Sequence, residues 1–306
     1  MQVMRQAVLG IADNPLVTRF FHTSPLVRGL VDRFVAGENL DEALVACHEL
    51  ANAGLALTLD QLGENVSTQE EVNTATHTYV EVLRRLHMEH LEPNISVKLT
   101  MLGLDLGDEV ARGAMQTVLA AAREVGGFVR IDMEGSAYTA RTMELFFELH
   151  DAYPDEVGIV IQTYLHRAEA DVRACIDRRA RVRLVKGAYA EPASVAFKSR
   201  EQIDENYVRL MKLLLDQGRF PALATHDPAL IEAAKDHARR KQIALDAFEL
   251  QMLYGVRQDA QKRLAGEGYG MRVYVPYGTE WYAYFTRRIA ERPSNALFVL
   301  RQMVGS

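Results

Sequence analysis

Eight short apolar segments recur along the chain, each followed by a longer stretch with helical periodicity. They are LALTL (55–59), ISVKL (95–99), FVRID (128–132), GIVIQ (158–162), VRLVK (182–186), PALAT (221–225), FELQM (248–252) and RVYVP (272–276). Their starts lie 24 to 40 residues apart. That is the rhythm of βα units, in which a helix returns the chain to begin a parallel neighbour. Eight such units over about 250 residues match a (β/α)8 barrel, an α/β fold of TIM type. An open doubly wound sheet satisfies the same alternation, and spacing alone does not separate the two. FELQM carries the weakest strand signal of the eight.

The segments close on polar residues: Asp60, Lys98, Asp132, Gln162, Lys186, His226, Gln251 and Tyr274. In a barrel those C-terminal strand ends converge on one rim, where the catalytic residues of this fold sit. Any single strand must meet water somewhere, so one polar end says little. Eight in succession, carrying both signs of charge with amide and imidazole groups, point to a shared polar site. Residues 1–54 read differently. LDEALVACHELANAG repeats apolar residues at helical spacing, and Gly54 is a natural stop. The expected organisation is an N-terminal helical segment over 1–54 and a catalytic barrel over 55–306.

Several function classes lack their signatures. No G-x-G-x-x-G follows a strand, and no phosphate loop with Gly-Lys-Ser/Thr is present. GEGYG (266–270) has the wrong spacing and suits a turn before the last strand. No Gly-x-Ser-x-Gly elbow supports serine hydrolysis. His87 and His90 in HMEH share a helical face, but no third ligand is indicated, so no metal is expected. The net charge of −6 argues against general polyanion binding, and no nucleic acid partner is expected. The two cysteines, Cys47 and Cys175, form neither a disulfide framework nor a zinc pattern, which suits a reducing compartment. With no cleavable signal in MQVMRQAVLGIADNP and no apolar run near the ~18 residues of a membrane span, the expectation is a cytoplasmic protein that touches a membrane only at its surface.

Two cationic features remain. Lys98 and Lys186, at or near strand ends, suit either Schiff-base nucleophiles with a lowered pKa or permanent cations in ion pairs and phosphate contacts. YAYFTRRIAERP (282–293) sets Arg287 beside Arg288 between aromatic residues. Guanidinium groups present a rigid fork of donors suited to carboxylate and phosphate oxygens. A solvated helix face with Arg287 paired to Glu291 at i,i+4 is the plainer alternative.

Several pieces, in this order, resemble the catalytic barrel of the proline dehydrogenase family: LGEN (62–65), ISVKLT (95–100), RIDME (130–134), IQTYLHR (161–167), RLVKGAY (183–189), ATHD (224–227), RVYVPYG (272–278) and YFTRRIAER (284–292). RLVKGAY together with the terminal YxxRRxxE is the most specific part, and the size resembles the short monofunctional bacterial form. The family comprises flavoproteins that oxidise proline to pyrroline-5-carboxylate, alone or as one domain of the bifunctional proline utilization flavoproteins. The resemblance implies a distorted (β/α)8 barrel that binds FAD at its strand ends, with the last helix over the mouth instead of beside the wall.

It also implies roles, position by position. Arg287 and Arg288 would hold the substrate carboxylate, with Lys98 as a third cation. Tyr274 and Tyr284 would line the pocket, with Tyr284 packing near the proline ring and disfavouring a 4-hydroxyl group. Leu253 would be an apolar wall, and Glu64 would pair with Arg287 as a gate over the substrate. Asp132 matches the family's acidic strand-end residue, expected to hold Lys98 and organise the pocket. Arg183 would lie near flavin N5, and Gln162, Lys186, Gly187, Ala188, Thr225, His226 and the backbone at Met133 would contact FAD. The Tyr274–Tyr284 spacing is slightly shorter than in the long bifunctional members. The implied partners are L-proline, a membrane quinone reached at the inner face of the cell membrane, and a separate pyrroline-5-carboxylate dehydrogenase that takes the product. Two other classes fit the same residues: a Schiff-base lyase or aldolase on Lys98 or Lys186, and a noncatalytic carboxylate-binding protein.

Overall fold

All eight segments are strands in the computed structural model, which describes residues 29, 31–63, 66–282 and 284. They are β1 (Ala56–Gln61), β2 (Asn94–Val97), β3 (Phe128–Ile131), β4 (Val157–Gln162), β5 (Arg181–Val185), β6 (Ala222–Ala224), β7 (Glu249–Leu253) and β8 (Gly270–Tyr277). Each pairs in parallel with the next. β8 pairs with β1 from Ala56↔Arg272 to Gln61↔Tyr277, which closes the sheet into a barrel and rules out the open doubly wound alternative. The weakest segment, FELQM, is a full strand held between β6 and β8.

The described helices are α1 (Leu40–Asn52), α2 (Gln69–Met88), α3 (Asp108–Glu124), α4 (Ser136–Ala152), α5 (Ala168–Asp177), α6 (Arg200–Gln217), α7 (Pro228–Lys241) and α8 (Gln258–Gly266). One 3-10 turn, Leu99–Leu102, follows β2. Each of α2 to α8 links one strand to the next. Their boundaries are chemically marked. Thr68 and Glu71 form a reciprocal capping box at the start of α2. Asp227 caps α7, with Pro228 in its first turn. At the end of α1, Gly54 takes φ +73°. Its N–H reaches Ala51 O at 2.9 Å while Leu55 N–H reaches Leu50 O at 3.0 Å, the Schellman pattern expected of a glycine stop.

Strand alternation sorts the side chains into two environments. Leu57, Leu59, Ile95, Val97, Val129 and Ile131, with their counterparts on the later strands, are buried in one continuous apolar layer together with the helices. Burying each such side chain contributes roughly 1.5–3 kcal/mol. The alternate positions face the barrel interior and are largely polar. Tyr274 on β8 bonds Asp132 after β3, and Arg183 on β5 bonds Ser96 on β2, links that only inward-pointing residues of non-adjacent strands can make. Gly158 belongs to this inner set. A methyl group there would stand 2.5 Å from Arg130 Nη1 and 2.7 Å from the Arg181 carbonyl, so the glycine makes room for a buried guanidinium.

Helix α1 packs against β1 and β8, the wall that a helix following β8 would cover in a regular barrel. The chain after β8 instead begins at the mouth, where Trp281 is buried and Tyr284 lines the central cavity. The remainder of the last helix, and residues 1–28 of the N-terminal segment, lie outside the described residues.

Candidate active site

The polar strand ends meet. Asp60, Lys98, Asp132, Gln162, Lys186, His226, Gln251 and Tyr274 all line one cavity of about 680 Å³ at the C-terminal mouth of the barrel. This is the size of a small-molecule or cofactor pocket. Every other described candidate joins them: Met133, Arg183, Gly187, Ala188, Thr225, Leu253 and Tyr284. Glu64, Arg287 and Arg288 lie outside the described residues, so the expected gate and carboxylate clamp have no geometry here.

At the bottom of the cavity two carboxylates and two cations interlock. Lys98 Nζ donates to Asp60 Oδ1 at 3.0 Å and stands 4.0 Å from Asp132 Oδ2. Asp132 accepts from Arg183 Nη1 at 3.0 Å and from the Tyr274 hydroxyl at 2.8 Å. Arg183 also lies over the Tyr274 ring, 5.3 Å from its centroid, and bonds the Ser96 hydroxyl at 3.1 Å. Asp132 thus lies at ion-pair distance from Lys98 and bonds two other pocket groups, while Asp60 is the nearer carboxylate. Lys98 follows β2, between β1 and β3, and the nearer carboxylate belongs to β1. Asp132 is occupied on both oxygens by groups from β5 and β8.

Burial alone lowers the pKa of the Lys98 ammonium, but the Asp60 and Asp132 carboxylates outweigh it and leave it raised. A lysine held charged in this way is a poor nucleophile, which counts against the Schiff-base reading at Lys98. Burial and the Asp132 charge raise the Tyr274 hydroxyl well above its ordinary value, so it stays a donor to Asp132. The two pairs balance: Lys98 and Arg183 against Asp60 and Asp132. A further anion at this depth needs further positive charge.

The wall is braced by loop-to-loop bonds. Gln162 Nε2 donates to the Met133 carbonyl at 2.6 Å and to the Glu134 carbonyl at 3.1 Å, while its Oε1 is buried without a partner among the described residues. The Met133 carbonyl thus already accepts one bond, from Gln162. Glu134 in turn accepts from the Thr100 hydroxyl at 2.5 Å and from its N–H at 3.2 Å, tying the loops after β2 and β3 together. Lys186 is held by Asp204 at 2.5 Å and Asp227 at 3.2 Å. The Leu253 N–H donates to His226 Nε2 at 2.9 Å, which fixes the lone pair there and the ring proton on Nδ1. Gly187 takes φ +110°, and a Cβ there would fall 2.3 Å from the Tyr164 ring. This glycine is demanded by backbone conformation and by the close packing of Tyr164.

Sequence reasoning stopped short of some residues. Asp60 was visible as a strand end but not as the partner of Lys98. Tyr189 lines the cavity from the same RLVKGAY run, next to Ala188, and Glu280 lines it from the turn after β8. Asp227, at the end of ATHD, lines the cavity while capping α7 and anchoring Lys186.

Residues 43–301 match the sequence profile of the family described as proline dehydrogenase. The proline dehydrogenase of Deinococcus radiodurans is 39% identical over 307 residues, covering 99% of this chain and 98% of that protein. Proline dehydrogenase 1 of Bacillus subtilis is 40% identical over 299 residues, covering 98% of each. Among solved structures, proline utilization A (PutA) from Bdellovibrio bacteriovorus inactivated by N-propargylglycine superposes with a TM-score of 0.81 at 28% identity. The match covers 87% of this chain and 33% of that longer one.

Proposed function

The chain belongs to the proline dehydrogenase family, and from that premise we propose that it oxidises L-proline to 1-pyrroline-5-carboxylate with FAD in the barrel mouth, passing the electrons to a membrane quinone. The observation that carries this reading is the convergence of all eight strand-end residues, and of every described candidate, on one cavity.

The lining fits a flavin. Met133, Val160, Val185 and Leu253 supply apolar contact for a flat ring system, and Arg183 and the Gln162 amide supply polar contact. The Gln162 Oε1, buried at the wall and reached by no donor among the described residues, suits a ligand N–H. Lys186, Gly187, Ala188, Thr225 and His226 follow as further contacts along the β5–β6 side of the mouth. When bound, FAD accepts the hydride from the ring carbon beside nitrogen.

The remaining work falls to the chain. Lys98, Arg287 and Arg288 hold the substrate carboxylate, since the Lys98–Asp60 and Arg183–Asp132 pairs are already balanced and one more anion calls for one more cationic group. Each charge-assisted bond contributes about 1.5–3 kcal/mol, enough to orient a small ligand, and the fixed orientation lowers the barrier by proximity. The same cations raise the cost of a second positive charge and so favour the neutral amine. Asp132, with both oxygens accepting, organises Arg183 and Tyr274 instead of abstracting a proton. Arg183 places positive charge where electrons accumulate. Tyr284 and Leu253 exclude water from the ring, and Glu64 pairs with Arg287 to close the mouth. A peripheral contact with the inner face of the cell membrane serves the quinone. Among the described residues no helix is long and apolar enough to cross a membrane. A separate pyrroline-5-carboxylate dehydrogenase consumes the product.

The test is the visible spectrum of the purified protein before and after anaerobic addition of L-proline. The expected result is a flavin band that bleaches, with a product that gives the coloured adduct of a pyrroline with o-aminobenzaldehyde. A colourless protein, or a flavin band that proline leaves unchanged, contradicts the proposal.

A further inference from the structure

Lys98 carries a compact charge on a four-carbon stem with no preferred direction of its own, so its tethers decide where the ammonium sits. The nearest tether is Asp60, 3.0 Å away on β1 and 1% exposed. The other carboxylate within reach, Asp132 at 4.0 Å, already accepts from Arg183 and Tyr274. Position 60 sits in parallel register with Ser96, two residues before Lys98, so the closed sheet fixes the carboxylate beside the lysine's exit from β2. Without Asp60, Lys98 would compete with two other donors for the single carboxylate left to it among the described residues.

Resting on the proposed function above, we propose that Asp60 is the positioning residue for Lys98. It moors the ammonium on the β1 side of the mouth, leaving its remaining N–H bonds for the substrate carboxylate, and balances that cation while no substrate is bound. Asp60 does not itself touch the reacting atoms.

Charge and position predict opposite outcomes, which makes the inference testable. Removing a buried negative charge close to a carboxylate ligand strengthens anion binding if only Coulomb energy counts. Loss of position weakens it. The probe is cyclopentanecarboxylate, a five-membered ring acid with no amine, titrated calorimetrically into the flavin-loaded full chain. Asp60→Asn, nearly isosteric and uncharged, is expected to weaken its binding about tenfold, the loss of roughly one charge-assisted bond. The kcat/KM for proline falls in parallel, chiefly through KM. Equal or tighter binding of the ring acid by Asp60→Asn overturns the proposal.

A second comparison guards against a variant that fails to fold, since removing one partner of a buried pair strands the other charge. In a Lys98→Met background Asp60 has lost its counter-ion and its burial favours the neutral acid, which Asn imitates. Adding Asp60→Asn there is expected to change affinity less than twofold. A further loss comparable to that in the wild-type background shows that Asp60 does not act through Lys98, and overturns the proposal. Wild-type turnover of proline is measured alongside. Its absence defeats the functional reading itself, whereas intact wild-type turnover with a failed Asp60 comparison defeats only this inference.

Discussion

At the floor of the barrel, Arg272 donates from Nε to Glu249 at 3.0 Å, from Nη1 to the Leu57 carbonyl at 2.6 Å, and from Nη1 and Nη2 to Glu92 at 3.0 Å each. Glu249 accepts from the Gln251 amide as well. At the mouth, Arg183 and Lys98 face Asp132 and Asp60 with similar chemistry but different completeness. Among the described residues, Arg183 Nε is buried without a protein partner, and Lys98 has one close carboxylate for three N–H donors. The Arg272 cluster is thus closed on its own partners, while the mouth pairs border a cavity. The floor also holds guanidinium nitrogens unpartnered among the described residues, Arg130 Nε and Arg181 Nε, but neither residue lines that cavity. A saturated buried ion network holds a fold in register, whereas unspent donors beside a cavity mark where a ligand completes the count. Neither charge inside a barrel nor an unfilled donor by itself identifies a site; the two together beside a cavity do.

That contrast breaks if floor substitutions behave like mouth substitutions. The largest expected effect is at the floor. Arg272→Ala strands Glu249 in a buried position and should cost about 3–5 kcal/mol of stability by urea unfolding. Any surviving folded enzyme should keep its KM for proline; a large KM change would blur the division. At the mouth, Arg288→Ala should lower kcat/KM for proline about 100-fold, close to 2.7 kcal/mol, with bound flavin and the unfolding midpoint retained. Unchanged efficiency would remove Arg288 from the clamp. Next, Tyr284→Ser should narrow the preference for proline over 4-hydroxyproline about tenfold, the scale of shape discrimination in a small pocket. A constant ratio of the two kcat/KM values would dismiss Tyr284 as the selector.

The smallest expected effect is a pH dependence at the floor. Burial raises the Glu249 carboxyl, but Arg272 and Arg130 outweigh it and leave its pKa below the ordinary glutamate range. A carboxylate depressed in the folded state contributes stability that is full above its unfolded pKa of about 4.3 and is lost as pH falls through the folded value. The stability gap between wild type and Glu249→Gln should therefore shrink on acidification below that point. A gap that stays constant down to the acid transition would assign Glu249 a purely steric part.

The strands and their polar ends were legible because both are local. Apolar runs of strand length, punctuated by helical stretches, appear in any window along the chain, and FELQM differed only in carrying a glutamate and a glutamine that prove to face the interior. The pairing of charges was not legible. Arg272 and Glu92 meet across a separation of 180 positions, and Arg183 and Asp132 across 51. Alternation in RVRLV says that one face is polar, but only closure of the barrel shows that this face points inward. Asp60 illustrates the limit well: its position at a strand end was evident, whereas its bond to Lys98 depends on the lateral register of β1 against β2. Gly187 adds a second case: its motif marked it as a cavity residue, but the Tyr164 ring that forbids a side chain there is visible only in the folded chain.

The most direct measurement is anaerobic reductive titration of the purified protein with L-proline and, separately, with L-prolinamide, which keeps the ring and amine but replaces the carboxylate by a neutral amide. If the mouth works by gripping a carboxylate, proline should reduce the flavin while prolinamide at equal concentration does so at least about 100-fold less efficiently, as expected for loss of charge-assisted bonds. Comparable reduction by both compounds would contradict the account.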